Sequence, residues 1–173
     1  MHQIVLIGTE HKFQIPGKDE SASFRTFVET ICSQYRIAAI GEEMSEDALA
    51  EKDVTQSVCQ QIAFSRCLAH RHCDPDNSQR TTLHILQEND IRAKGFFRDW
   101  KPEKIETEIR SSHAVRERHW LDQLTKIDIW PALFVCGVNH VSYFRDLLEK
   151  NAFEVIVAAD DWKPGSVSTI DTN

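Results

Sequence analysis

No stretch of the 173-residue chain approaches the roughly 18 apolar residues in a row that a membrane-spanning helix requires. A membrane role is therefore not expected. The opening Met1-His2-Gln3 runs into a short apolar stretch with neither a basic region nor a small-residue cleavage site, so no signal peptide is expected. There is also no basic stripe. Against a net charge of −7, the Lys and Arg residues are scattered among acids, and only Arg116, Arg118 and His119 fall close together. Displacing counterions from phosphates needs a concentrated positive surface, so nucleic acid is not the expected partner. The five cysteines are odd in number and lack framework spacing, which argues against a disulfide scaffold and suits a reducing cytoplasm. Internal repeats and low-complexity tracts are missing. With 41% hydrophobic and 27% charged residues, the composition is that of an ordinary globular domain rather than a disordered segment.

What is present is an alternation of apolar runs and amphipathic stretches. Ile4–Ile7 is continuously apolar and stops at Gly8, as expected of a strand covered on both faces. Phe24, Phe27, Val28, Ile31, Cys32 and Tyr35 follow helical spacing. Ile37–Ile40 is a second strand ending at Gly41. Ser45 is an N-cap with Glu46 and Asp47 in the first turn, and one helical face then runs through Val54, Val58, Cys59, Ile62 and Ala63. A short third strand falls at Leu68–His72, followed by turn residues Cys73–Asn77. Residues 78–103 form either an excursion over the site or a connection with a short helix. A long helix spans Ile105 to about Ile127, with Ile105, Ile109, Trp120, Leu124 and Ile127 on one stripe. Leu133–Cys136 is a fourth strand ending at Gly137, and Val141, Phe144, Leu147 and Leu148 mark another helix. Phe153–Ala158 is the last strand. This order predicts one α/β domain over residues 1–162, a three-layer fold with a mostly parallel central sheet and helices on both faces. A polar tail, 163–173, follows it.

In such sheets ligands bind beyond the carboxyl ends of the strands, and polar residues gather there. The first strand delivers Gly8-Thr9-Glu10-His11, the second Gly41-Glu42-Glu43, the third Asp74, and the fourth Gly137-Val138-Asn139-His140. A glycine past a strand permits a sharp turn, after which a histidine can project back over the sheet edge. Imidazole serves as a general base or a metal ligand. His11, Glu42, Glu43 and His140, with Arg116, are the expected catalytic set, and Glu10, Asp74, Glu117 and Asn139 the expected substrate contacts. His11, His140 and one of the two glutamates, Glu43 or Glu42, are candidate ligands for a divalent metal, in a site that could also activate water without one. Arg116 lies mid-stripe on the long helix. A guanidinium there is either half of a structural ion pair or an anchor for substrate negative charge, with His113 and Glu117 nearby. A rival cluster, Cys67, His70, His72 and Cys73, has zinc-compatible side chains crowded into seven residues. Cys73 and Cys136 are candidate thiolates.

The paired Gly-x-x-His motifs, the strand-end Glu42-Glu43 and Arg116-Glu117 on the intervening helix resemble the erythromycin esterase/TraB/Tiki/ChaN-like superfamily in order along nearly the whole chain. The resemblance implies an α/β fold with helices flanking the sheet. It also implies that His11, His140 and Glu42 or Glu43 form a catalytic or metal-binding set supported by Arg116. Members include macrolide-lactone hydrolases, metal-dependent proteases and a haem-binding lipoprotein. This chain lacks the esterases' large helical additions. A cytoplasmic hydrolase of a small polar substrate is the expected function; the alternative is a non-catalytic domain binding a small molecule, haem or a protein partner.

Overall fold

A computed structural model describes residues 2–18 and 20–165. Five strands, β1 (His2–Thr9), β2 (Ala39–Glu42), β3 (Ala69–His72), β4 (Ala132–Gly137) and β5 (Phe153–Trp162), form one sheet in the order β3-β2-β4-β1-β5. Every neighbouring pair is parallel. The near-continuous apolar sequences of β1 and β4 follow from burial on both faces: Ile4 to Ile7 and Leu133 to Cys136 are fully buried.

The helices divide between those faces. The first core joins Val5, Ile7, Ile40 and Leu133 to Phe24 and Val28 of α1 (Ser21–Gln34) and Ile62 of α3 (Val58–Ser65), with the short α2 (Glu46–Ala50) between them in sequence. On the opposite face, Leu6 and Phe134 pack against Trp120 and Leu124 of α6 (Pro102–Ile127) and Phe144 and Leu148 of α7 (Val141–Lys150). This is a three-layer α/β fold. The chain leaves β1 and β2 on the α1/α3 side and leaves β3 and β4 on the α6/α7 side. Right-handed crossovers require this division once the direction of travel across the sheet reverses. Neighbouring strands β1 and β4 therefore send their connections to opposite faces, and their carboxyl ends border a crevice.

Several boundaries differ from the expectation. The single helical face over 45–63 is two helices. Ser45 caps α2, accepting from Ala48 N–H (3.2 Å); the chain then turns through Asp53 at φ 55°, and Ser57 caps α3, accepting from Gln60 N–H (2.9 Å). β5 runs four residues beyond Ala158. Exposed Asp160 and Asp161 mask its end, but Trp162 is buried against Phe13 and Phe24, with ring centroids 5.3 and 5.0 Å away. Pro102 opens α6 at its first turn, where no amide hydrogen is missed. Residues 78–103 carry most of α4 (Asn77–Thr82), capped by Asp76, and all of α5 (Glu88–Phe97). Most of the expected tail, residues 166–173, lies outside the described residues.

Candidate active site at the strand carboxyl ends

The register that pairs Gly8 with Cys136 and Thr9 with Gly137 brings the two Gly-x-x-His loops side by side at the crevice. Each continues into a short 3-10 turn, His11–Gln14 and Val138–His140. The glycines are needed for space rather than for an unusual turn, since neither has a positive φ. A Cβ on Gly8 would lie 2.2 Å from the carbonyl oxygen of Asp160 in β5. A Cβ on Gly137 would lie 3.3 Å from Glu43 Oε2 and 3.5 Å from His11 Nε2, inside the site itself.

Glu43 stands at the centre. Its amide donates to the Val135 carbonyl (2.8 Å), extending the β2–β4 ladder by one residue and fixing the side chain against the adjacent loop. Oε2 accepts from Gly137 N–H (2.7 Å) and Oε1 from Arg116 (2.7 Å). Nε2 of His11 and Nε2 of His140 each lie 3.7 Å from Oε1, nearer than chance neighbours but beyond a hydrogen bond. Burial alone would raise the Glu43 pKa. The Arg116 guanidinium, the two imidazoles and the Gly137 amide outweigh it and lower the value to about 2, so Glu43 is a carboxylate at neutral pH.

α6 supplies the wall. Arg116 reaches Asp74 through Nε (3.1 Å) and Nη2 (2.8 Å) besides holding Glu43. Trp120 Nε1 also donates to Asp74 Oδ1 (3.0 Å), and Arg80 closes the other carboxylate oxygen. Glu117 binds Arg110 in a bidentate pair and meets His140 Nδ1 at 2.8 Å. Burial would raise the Glu117 pKa, but Arg110 and His140 lower it. An ionised carboxylate only accepts, so Nδ1 of His140 carries a proton toward Glu117, and Nε2 faces Glu43. The ring is held further by Trp120 and His113, with centroids 4.8 and 4.3 Å away. Burial, then the charges of His140 and Arg116, depress the His113 pKa to about 4. A cavity of about 330 Å³ opens over these groups, lined also by Glu10, Asn139, Leu86 and Glu88.

Of the expected site residues, His11, Glu43, Arg116 and His140 come together, and Glu10 and Asn139 line the same cavity. Asp74 and Glu117 are buried behind it and act on Arg116 and His140 rather than presenting themselves to a ligand. Glu42 does not join them. Successive strand residues point to opposite faces, and Glu42 is buried on the α1/α3 side, where its Oε1 accepts from Ser57 Oγ (2.5 Å) and meets His70 Nε2 at 2.7 Å. His72 Nε2 lies 3.4 Å from the same oxygen. Glu42, His70 and His72 form a group that could hold a metal ion, the one such three-residue group among the described residues. The crowded Cys-x-x-His-x-His-Cys cluster is thereby reorganised. Cys67 is exposed in a turn and Cys73 is buried in the opposite core. Burial pushes the Cys73 and Cys136 thiols far up, so neither is a thiolate.

Sequence reasoning missed Arg110, whose sole signal is its seven-residue spacing from Glu117 on one helix face, while residues 78–103, expected either to cover the site or only to connect, bring Leu86, Gln87 and Glu88 to the cavity wall. Comparisons with family models, with curated proteins and with solved structures give no match.

Proposed function

We propose that the crevice between β1 and β4 is the active site of a hydrolase acting on a small polar substrate without a metal. The observation that carries this reading is the Glu117–His140 pair at 2.8 Å, which turns Nε2 of His140 toward Glu43 at the floor of the cavity. A carboxylate that fixes the tautomer of an imidazole prepares the other nitrogen to take a proton. In this mechanism His140 removes a proton from water lying against Glu43. His11, about half-exposed on the other side of that carboxylate, delivers a proton to the leaving group. Arg116 balances the negative charge that develops. The guanidinium already on Glu43 Oε1 disfavours a divalent cation at His11, Glu43 and His140, because the cation would share that oxygen with a fixed positive charge.

The ion pairs joining Arg116 to Glu43 and Asp74 favour a second reading, a binding site for a polar small molecule without turnover. A panel of chromogenic esters, lactones and amides separates the two. The hydrolase reading expects turnover that survives chelator and falls about 10²–10⁴-fold in His140→Ala and in His11→Ala, with circular dichroism unchanged. Full activity in both variants would overturn it, and saturable ligand binding with no hydrolysis would favour the second reading.

A further inference from the structure

Glu42 is fully buried, yet its Oε2 meets no hydrogen-bond donor, and Nε2 of His72 is likewise buried without a hydrogen bond. Native structures rarely leave two neighbouring buried polar atoms unsatisfied, and an ion is among the ordinary explanations. The donor set is specific. His70 and His72 are two apart on β3, so both point to one face, and the parallel register pairs His72 with Glu42 of β2. One ligand atom from each residue, a ring nitrogen of His70, a ring nitrogen of His72 and a Glu42 oxygen, lies within 4.8 Å of the others.

We propose that Glu42, His70 and His72 form a second, separate site that binds a divalent transition metal of the zinc class, clamping the edge strand β3 to β2. Two imidazoles and one carboxylate are a known donor set for zinc, with metal–ligand bonds of about 2.0–2.2 Å and a fourth position left for water. Such bonds set tetrahedral donors about 3.3 Å apart. The His72–Glu42 separation is already 3.4 Å, while His70, at 2.7 Å, must open by roughly 0.6 Å. Ser57 Oγ, donating to Glu42 Oε1, orients the carboxylate as outer partners of metal ligands do. Access exists as well. The two histidine side chains are 14% exposed at the sheet edge, and His72 borders a cleft of about 620 Å³ rimmed by Glu46, Asp47 and Asp76, acids that draw in cations. The groove holding His11 and His140 lies on the other face of β2 and takes no part.

The test uses the full chain, stripped with chelator and dialysed. Zn²⁺ is added with calorimetric and elemental read-outs, and Co²⁺ as a probe whose visible bands report the ligand field. One equivalent is expected to bind and to raise Tm with metal concentration. His72→Ala and His70→Ala should abolish stoichiometric binding, Ser57→Ala should weaken it about 10–100-fold, and His11→Ala and His140→Ala should leave it intact. Should His70→Ala fail to fold, His72→Ala carries the same test at a position that lacks the 2.7 Å contact of His70 with Glu42. Absence of binding by the folded wild type would overturn the proposal, as would unaltered binding in the His70 and His72 variants or its loss on replacing His11. Because the read-out is occupancy, its failure leaves the hydrolase reading where it stands, and the converse holds too.

Discussion

At Gly137 a single methyl group would intrude between three functional atoms, with its carbon 3.3 Å from Glu43 Oε2, 3.5 Å from His11 Nε2 and 3.8 Å from His140 Cδ2. Gly137→Ala should therefore keep the fold and lower turnover at least about tenfold, since sub-ångström misplacement of catalytic groups is costly; circular dichroism alongside ester hydrolysis checks both halves. Gly8→Ala should behave differently, since its Cβ would strike backbone at 2.2 Å. It should destabilise by about 1–3 kcal/mol or more in denaturant titration. The sequence marks both glycines as necessary, but for the wrong reason, because backbone freedom is legible in a residue name and the proximity of a distant chain segment is not. The glutamate pair teaches a related lesson. Strand alternation guarantees that Glu42 and Glu43 face apart, yet which of them meets the histidines depends on the neighbours of β2, and strand order is not written locally.

Helix α6 does most of the positioning at the scale of elements. Over consecutive turns it presents His113 and Arg116 to the cavity and sets Arg110 and Glu117 behind His140, while Trp120 and Leu124 anchor it to the sheet. Arg116→Ala would leave the carboxylate of Glu43 buried without its guanidinium and that of Asp74 with Arg80 alone. A loss of about 3–5 kcal/mol is expected by urea unfolding, and Arg116→Lys should recover only part of it because an ammonium cannot bridge both carboxylates as the guanidinium fork does. The periodicity of this helix made Arg116 conspicuous in the sequence, as did the apolar runs of β1 and β4. Less legible were the break between α2 and α3, which rests on one left-handed residue, Asp53, and the end of β5, where two aspartates conceal a buried tryptophan. The meeting of His70 and His72 with Glu42 was also hidden. The His-x-His spacing on a strand was visible, but its carboxylate comes from another strand 28 positions away.

For the molecule as a whole, the site is a balanced assembly of three carboxylates (Glu43, Asp74, Glu117) and three guanidinium groups (Arg80, Arg110, Arg116) beneath His11, His113 and His140. Acid should undo it in stages. Folding lowers the His113 pKa from 6.5 to about 4, so the unfolded chain binds more protons across that interval. The resulting stability is complete above 6.5 and disappears as pH falls through 4. Glu43, lowered from 4.5 to about 2, extends the decline further into acid. Tm measured against pH should fall steadily below 6.5, and His113→Gln should flatten the upper part of that curve while leaving the lower part. An unchanged profile in the variant would show that His113 does not carry it. Beneath all of this lies the opposite course that the connections after β1 and β4 take across the sheet. The hollow there arises from two connections departing on opposite sides, so it is a consequence of connectivity and persists whichever side chains line it. Stripping the histidines should empty the crevice of chemistry without closing it. A scaffold of this kind can exchange one reaction for another by substitution at its loop tips, with its core left as it is.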